Sequence, residues 1–117
     1  MPTPAIVALV DDDEEIRCAM AGLLRSYGVE MYAFETAEAF LEHADEIEIG
    51  CLITDLHMPG MGGIELLKRL RQTGVAYPII VMSARDSTQA HGADAYISKP
   101  FDGEELMGWL SRLTSGA

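Results

Sequence analysis

The sequence is poor in basic residues and in cysteine. Only eight Lys and Arg residues stand against 19 Asp and Glu residues, which gives a formal net charge of −11. Because non-specific binding to nucleic acid depends on basic side chains that neutralise phosphates, this balance argues against direct nucleic-acid binding. The two cysteines, Cys18 and Cys51, stand in no metal-ligand spacing, and each lies among apolar residues. We therefore expect two buried free thiols, without a disulfide or a zinc site.

Long apolar runs are absent as well. No stretch approaches the roughly 18 apolar residues that a membrane-spanning helix requires, and the N-terminus lacks the basic start and cleavage site of a signal peptide. The composition is typical of a soluble protein, and we expect a cytoplasmic location without membrane association. A chain of 117 residues can build one hydrophobic core but not two ordinary domains, so we predict a single domain over residues 1–117.

Apolar runs alternate with helical patterns along the chain. Residues 5–10, 51–54 and 78–82 form continuous apolar runs, which are typical of strands buried on both faces of a parallel sheet. Residues 30–34 and 95–98 are predicted to form two further strands. Helical spacing begins after Asp13, after Thr36, after the Gly62-Gly63 turn and around Leu106. The order predicts an α/β fold with a doubly wound, five-stranded parallel sheet and flanking helices.

Acidic residues directly follow two of the predicted strands. Asp11, Asp12 and Asp13 follow the first strand, and Asp55 follows the third. If these strands are neighbours, their carboxylates meet at one edge of the sheet, where ligands of such folds bind. A cluster of like charges is a natural site for a hard divalent cation, and oxygen-only ligands favour Mg²⁺ over zinc. The alternative is that Asp13 only caps the following helix, while Asp11 and Asp12 are solvated loop residues.

Two further strand ends carry groups suited to phosphoryl chemistry. Ser83 follows the fourth predicted strand, and Lys99, one of two lysines in the chain, follows the fifth. A hydroxyl group and an ammonium group directed at one carboxylate can stabilise the oxygens of a phosphoryl group.

Four short motifs fall in order at these strand ends: Val10-Asp-Asp12, Asp55-Leu-His-Met-Pro-Gly60, Ser83-Ala84 and Lys99-Pro100-Phe101. Together they resemble the receiver domains of bacterial two-component response regulators, most closely the type often joined to a helix-turn-helix output. The resemblance covers nearly the whole chain, from about residue 5 to residue 113. It implies a flavodoxin-like fold and a function in phosphorelay signal transduction.

The resemblance implies a phosphoacceptor with a magnesium cofactor. Asp55 would be the nucleophile that takes a phosphoryl group from a phosphohistidine of a sensor histidine kinase or a phosphotransfer protein. Asp12 and Asp55 would bind Mg²⁺ through their side chains, the backbone carbonyl of His57 would be a third ligand, and Asp11 would act through water. Such a domain is not an enzyme with a separate substrate: it catalyses its own phosphorylation and slow dephosphorylation, and an output domain, fused or separate, carries the response.

The resemblance also implies a switch. Ser83 would bond a phosphoryl oxygen, Lys99 would pair with Asp55 or its phosphate, and the peptide bond before Pro100 would be cis. Phosphorylation would pull Ser83 inward and let Tyr96 turn into the space vacated. The alternative for Tyr96 is an ordinary, half-exposed strand residue.

The resemblance implies that two residues border the entrance of the predicted site. His57 and Arg85 each stand two residues beyond a site residue, and we hypothesise that they tune the lifetime of the phosphoryl group. The alternative is that both are solvated loop side chains.

The segment between Ser83 and Gly92 departs from the family pattern. It holds eight residues, where receiver domains ordinarily carry a full helix, so we predict that the fourth helix is shortened or missing. Either phosphotransfer is intact and only a partner surface is altered, or the Ser83 loop is loosened and the switch is lost. We favour the first, because the pocket residues flank the short segment and are all present.

Other functions are considered against the same residues. A pseudo-receiver that binds proteins without phosphorylation is consistent with the short segment but not with the complete set of site residues. A hydrolase of the haloacid-dehalogenase kind requires a second Asp two residues after its nucleophile, where this chain has His57. Flavin or dinucleotide binding is disfavoured, because acids and no GxGxxG motif follow the first strand.

Overall fold

The computed structural model describes residues 6–58, 60–83, 92–99 and 101–114. Over these residues it has five strands: β1 (Ile6–Val10), β2 (Met31–Phe34), β3 (Ile49–Asp55), β4 (Ile79–Ser83) and β5 (Ala95–Ser98). The α-helices of the same residues are α1 (Glu14–Ser26), α2 (Ala37–His43), α3 (Gly63–Thr73) and α4 (Gly103–Thr114), and a 3₁₀ turn spans Ala44–Glu46. The predicted short segment between β4 and β5, with Arg85, and the predicted cis bond at Pro100 lie outside the described residues.

The five strands form one parallel sheet in the order β2-β1-β3-β4-β5. This order confirms the predicted doubly wound sheet, and it makes β1 and β3 neighbours. Val10 pairs with Thr54, so Asp11 and Asp55, which follow them, reach the carboxyl edge at the same level. The order of the strands changes direction at β1, and such a point is where open α/β sheets bind ligands.

The sheet is covered on both faces by helices. Alternate strand residues point to opposite faces, so each strand contributes to two cores. One core joins Leu9, Ile53 and their neighbours to α1 and α4, and the other joins Val10, Leu52 and their neighbours to α2 and α3. Because all four strand side chains named here are fully buried, each contributes about 1.5–3 kcal/mol through removal from water. With both faces covered, the carboxyl edge of the sheet is the place left for polar groups.

The helix ends follow the predicted capping residues. The Asp13 side chain accepts a 2.9 Å hydrogen bond from the Glu15 backbone N–H, and Thr36 Oγ1 accepts one of 3.0 Å from Ala39. Gly28, just after α1, has a φ of 75°, which glycine adopts without steric cost. Asp13 therefore does cap the helix, and the choice between a metal site and solvated loop acids depends on its neighbours Asp11 and Asp12.

A polar latch fixes the start of β5. Arg71 of α3 donates to Asp94 Oδ2 at 2.7 Å and to the Gly92 carbonyl at 2.9 Å, and Asp94 Oδ2 also accepts from the Ile79 N–H at 2.8 Å. The Asp94 N–H in turn donates to the Ile79 carbonyl at 2.8 Å. These bonds set the register of β5 against β4, and so the position of Lys99 at its far end.

The exposure of Cys18 in α1 differs from the prediction. Cys18 is exposed, whereas Cys51 is buried as expected. Cys18 lies two residues from both Ile16 and Met20, and this spacing places it on the face of the helix turned away from the core. Tyr27 is 55% exposed, because it is the C-cap residue and stands beyond the last regular turn.

No helix within the described ranges combines the length and the apolar character needed to cross a membrane.

The two thiols should differ sharply in reactivity. Cys51 is 0% exposed, and burial raises the pKa of its thiol to about 12, while Cys18 lies at the surface. Since the thiolate is the reactive form, we expect iodoacetamide to alkylate the native protein once, at Cys18, and the denatured protein twice, as read by intact mass. A native Cys18→Ser variant should stay unmodified; rapid alkylation of that variant would contradict the buried position of Cys51.

Candidate functional site

Four strand ends converge at the carboxyl edge of the sheet. Asp11 follows β1, Asp55 ends β3, Ser83 ends β4, and Lys99 follows β5. The Lys99 N–H donates to the Ser83 carbonyl at 2.9 Å, which extends the strand pairing to the site residues themselves. Asp11, Asp55 and Ser83 are all buried, at 0%, 6% and 6% exposure. Their backbone positions are therefore fixed by the sheet, and their polar groups are largely shielded from solvent.

Lys99 bridges two carboxylates. Its Nζ lies 2.9 Å from Asp11 Oδ2 and 3.1 Å from Asp55 Oδ2, and the side chain is 16% exposed. The contact with Asp55 matches the predicted arrangement, whereas the contact with Asp11 was not predicted. Among the described residues, no second Lys or Arg forms an ion pair with either carboxylate. One ammonium group thus compensates a buried pair of acids.

The pKa values of this group show the competition between burial and charge. Burial raises the pKa of Asp11, and the Asp13 backbone N–H and Lys99 oppose this effect without cancelling it. Burial lowers the pKa of Lys99, but its interactions with Asp11 and Asp55 outweigh that effect, so the pKa is raised overall. Lys99 therefore stays an ammonium at neutral pH and can act as a fixed positive charge.

Three carboxylates at this edge form a possible metal site. Each of Asp11, Asp12 and Asp55 offers an oxygen, and these oxygens lie within 4.8 Å of one another. Asp12 is exposed, so a cation can reach the group from solvent. Lys99 is the one ammonium group beside these carboxylates in the described part of the chain, so the group keeps an excess of negative charge. An all-oxygen set of ligands with excess negative charge fits a hard divalent cation.

Of the other residues predicted for the site, the structure describes His57 and Tyr96. The His57 N–H donates to Asp55 Oδ1 at 3.3 Å, while its side chain is exposed beside the site. Tyr96 lies on β5 with 42% of its surface exposed. Arg85 and Pro100 lie outside the described residues. The metal-binding role of the His57 carbonyl, the tuning roles and the switch role of Tyr96 stay predictions.

Asp11 is oriented by contacts that sequence reasoning missed. The Asp13 N–H donates to Asp11 Oδ1 at 2.9 Å, and Arg17 Nη1 donates to the Asp11 carbonyl at 2.8 Å. A signal for the second contact exists in the sequence, since Arg17 stands one helical turn after the capping residue Asp13, on the side where the chain enters the helix. Both bonds hold the β1–α1 loop so that Asp11 Oδ2 faces Lys99.

The loop after Asp55 is held from two sides. Glu38 of α2 accepts a hydrogen bond from the Met61 N–H at 3.3 Å. On the other side, α3 begins against the loop backbone: the Gly63 N–H donates to the Leu56 carbonyl at 3.0 Å. A Cβ atom on Gly63 would stand 2.2 Å from the Asp55 carbonyl oxygen. Gly63 therefore lets the start of α3 approach the Asp55 backbone, a role that the Gly-Gly turn in the sequence did not specify.

Comparison with known proteins points to one family. The family model of the response regulator receiver domain matches residues 7–111. The transcriptional regulatory protein FixJ of Azorhizobium caulinodans is 36% identical over 108 residues, which cover 87% of this chain and 51% of that protein. The response regulator protein TmoT of Ectopseudomonas mendocina is 34% identical over 110 residues, covering 89% of this chain and 50% of that protein. The chain thus spans about half the length of the curated relatives it matches.

Solved structures give the same result for the fold. The crystal structure of FixJ-N has a TM-score of 0.87 and 31% identity, and the match covers 99% of this chain and 98% of that one. The receiver domain of the Francisella response regulator 1452 has a TM-score of 0.87 and 28% identity, with 95% of this chain and 97% of that chain covered.

The close approach of Gly63 to the Asp55 backbone predicts that one added methyl group at Gly63 lowers the stability of the protein. Because the nearest atoms are backbone atoms that cannot rotate away, Gly63→Ala should lower the free energy of unfolding by about 2–3 kcal/mol, as measured by urea denaturation. Gly22 is the matched control: it lies inside α1, and a methyl group on it would meet no atom within 4 Å, so Gly22→Ala should stabilise by about 0.5–1 kcal/mol. Equal effects of the two changes would contradict this packing.

The acidic cluster predicts that one substitution raises the metal-free stability and weakens the stabilisation by Mg²⁺. Asp12→Asn removes one of three crowded negative charges, so it should raise the melting temperature in metal-free buffer. Mg²⁺ should stabilise the unaltered protein by about 1.4 kcal/mol at roughly ten times Kd, and the variant by less.

Glu48→Gln is the control for this measurement, because Glu48 is exposed and precedes β3 at the opposite edge of the sheet. It should leave the response to Mg²⁺ unchanged. Identical Mg²⁺ responses of all three proteins would rule out a metal site at the cluster.

Proposed function

Because the chain belongs to the family of response regulator receiver domains, we propose that it accepts a phosphoryl group on Asp55 with the aid of Mg²⁺. The observation that carries this proposal is the bridge of Lys99 between Asp11 and Asp55 at the edge where three carboxylates meet. A purely structural ion pair needs neither the third carboxylate nor a buried Ser83 at the neighbouring strand end. Phosphoryl transfer has a use for each of these groups.

Asp55 is the proposed nucleophile. A carboxylate oxygen of Asp55 attacks the phosphorus atom of a phosphohistidine, a phosphorus–oxygen bond forms, the phosphorus–nitrogen bond breaks, and the histidine nitrogen leaves with the bonding pair and takes up a proton. Contacts from Lys99 and from the His57 N–H hold both carboxylate oxygens in place before the reaction. This preorganisation lowers the entropic cost of reaching the in-line geometry.

The acidic cluster is the proposed magnesium site. Asp12 and Asp55 would hold the cation with their side chains, the His57 carbonyl would be a third ligand, and Asp11 would act through water. When bound, Mg²⁺ supplies positive charge that offsets the charge of the phosphoryl oxygens. Asp11 has a second task in this proposal, because its fully buried carboxylate keeps Lys99 at the site.

Lys99 and Ser83 are proposed to stabilise the product. Lys99 Nζ, now 3.1 Å from Asp55 Oδ2, would pair with a phosphoryl oxygen, and the Ser83 hydroxyl would donate to another. The inward movement of Ser83 would give Tyr96 room to turn from its exposed position. His57 and Arg85 would set how long the acyl phosphate survives hydrolysis.

The proposed partners follow from the family. A sensor histidine kinase or a phosphotransfer protein would supply the phosphoryl group in the cytoplasm, and an output domain or a separate protein would read the switch. FixJ is named a transcriptional regulatory protein, and this chain matches about half of it. With a net charge of −11, this domain would control such an output without touching nucleic acid itself.

Intact mass spectrometry tests the proposed phosphoacceptor. Incubation with acetyl phosphate and Mg²⁺ should add the mass of one phosphoryl group, and chelation of Mg²⁺ should prevent the gain. Asp55→Asn should show no gain, because the amide keeps the shape of the side chain but is not a nucleophile. Treatment with hydroxylamine should remove the added group from the unaltered protein, as expected for an acyl phosphate.

Asp13→Asn serves as the matched control, since asparagine can still cap α1 and the residue lies outside the proposed metal set. It should be phosphorylated like the unaltered protein. Absence of any gain in protein shown to be folded by circular dichroism would overturn the proposal in favour of a phosphorylation-independent binding module.

A further inference from the structure

β2 is an edge strand whose outer side pairs with no other strand of the described residues. It pairs with β1 alone within the sheet. The carbonyls of Glu30 and Phe34 accept from Val7 and Asp11 of the β1 side, at 2.9 and 3.1 Å. Because backbone groups alternate in direction along a strand, the N–H and C=O groups of Met31 and Ala33 point away from β1. An outward-facing row of this kind can pair with another extended chain.

A groove runs along this edge. A cavity of about 480 Å³ is lined by the four residues of β2 together with His43, Glu46 and Ile47 from α2 and the chain that follows it. Tyr32 is 43% exposed within it, and the His43 ring stacks on Phe34 with a centroid distance of 6.3 Å. The groove therefore offers an aromatic and apolar floor directly beside the open backbone groups.

The charge around this groove is one-sided. Nine of the 19 acidic residues and none of the eight Lys and Arg residues lie between positions 26 and 67, the stretch that contains β2, α2 and the 3₁₀ turn. Glu30 and Glu35 flank β2, and both are exposed, as is Glu46 at the rim. His43, the histidine in the groove lining, lies 3.0 Å from Glu46, so any positive charge on its ring is offset by that carboxylate. A ligand for this edge must bring positive charge.

We propose that the outer edge of β2 binds an extended, basic segment of a partner protein as an added strand. Backbone groups of the segment would pair with Met31 and Ala33, alternate apolar side chains would lie over Tyr32, and Lys or Arg side chains would meet Glu30, Glu35 and Glu46. A second copy of this chain fits poorly, because the same acids would then face each other across the new strand pair. The surface is separate from Asp55, and this proposal does not depend on phosphorylation.

Backbone NMR with designed peptides tests the added strand. The probes are an acetylated, amidated heptapeptide of alternating lysine and valine, the same peptide with glutamate in place of lysine, and the lysine peptide with every residue N-methylated. Binding of the first peptide should shift the amide signals of Met31 and Ala33 and slow their hydrogen exchange. The glutamate and N-methylated peptides should not do so. Shifts that map to another surface, or equal binding of the N-methylated peptide, would overturn the proposal.

A pair of charge-reversal variants tests the groove. Glu46→Lys should weaken binding of the lysine peptide by about fivefold, because an attraction becomes a repulsion at the rim. Glu105→Lys changes the net charge by the same amount on the exposed surface of α4, and it should leave the affinity within about twofold, since distant exposed charges are screened. Equal weakening by both variants would show attraction to the whole acidic protein and would refute a specific site.

Discussion

The structure of the site depends on the compensation of one buried charge. Asp11 is fully buried at the end of β1, and a carboxylate in that position is costly unless a cation lies beside it. Lys99 supplies this cation from the end of β5, three strands away in the sheet order, so the sheet must keep β3 and β4 in register between them. The latch of Arg71 on Asp94 fixes the beginning of β5, and the bond from the Lys99 N–H to the Ser83 carbonyl fixes its end. The position of the ammonium group is therefore a property of the whole sheet.

Much of the fold and the membership of the site could be predicted from the sequence, for an identifiable reason. Central strands of a parallel sheet are buried on both faces, so they form continuous apolar runs, and the polar residue that follows each run marks the carboxyl edge. Asp11, Asp55, Ser83 and Lys99 all stand at such positions, and the structure brings them together.

The contacts that could not be predicted from the sequence depend on distances between elements. The ion pair of Lys99 with Asp11, the bond from Met61 to Glu38 and the close approach of Gly63 to Asp55 leave no periodic pattern in the chain. The exposure of Cys18 could have been predicted, because helical spacing from Ile16 and Met20 is a better guide than apolar neighbours.

The acidic character of the chain has different consequences in different places. At the carboxyl edge the acids are buried or crowded, one ammonium group offsets part of their charge, and the remainder favours a divalent cation. Around β2 the acids are exposed, and solvent screens each of them, so they cost little to the fold. Exposed charges next to an edge strand also discourage pairing between identical copies, which is a common protection of open edges. The two regions adjoin, since the Phe34 carbonyl at the end of β2 accepts from the Asp11 N–H.

The double contact of Lys99 has a consequence for how the proposed switch moves. Asp11 has no other ionic partner in the described part of the chain. Its buried carboxylate therefore attracts Lys99 strongly, whatever the charge at Asp55. A phosphoryl group on Asp55 would therefore meet an ammonium group that is already anchored on the β1 side. Movement of Lys99 toward the new charge would take from Asp11 the one ammonium group that it contacts directly, and the proposed Mg²⁺ would reach this buried carboxylate only through water. Movement of Ser83 at the end of β4 carries no comparable cost, because its side chain is neutral and leaves no charge behind. In the proposed mechanism the response to phosphorylation consequently begins at Ser83, and β5 follows through the backbone bond that joins Lys99 to it.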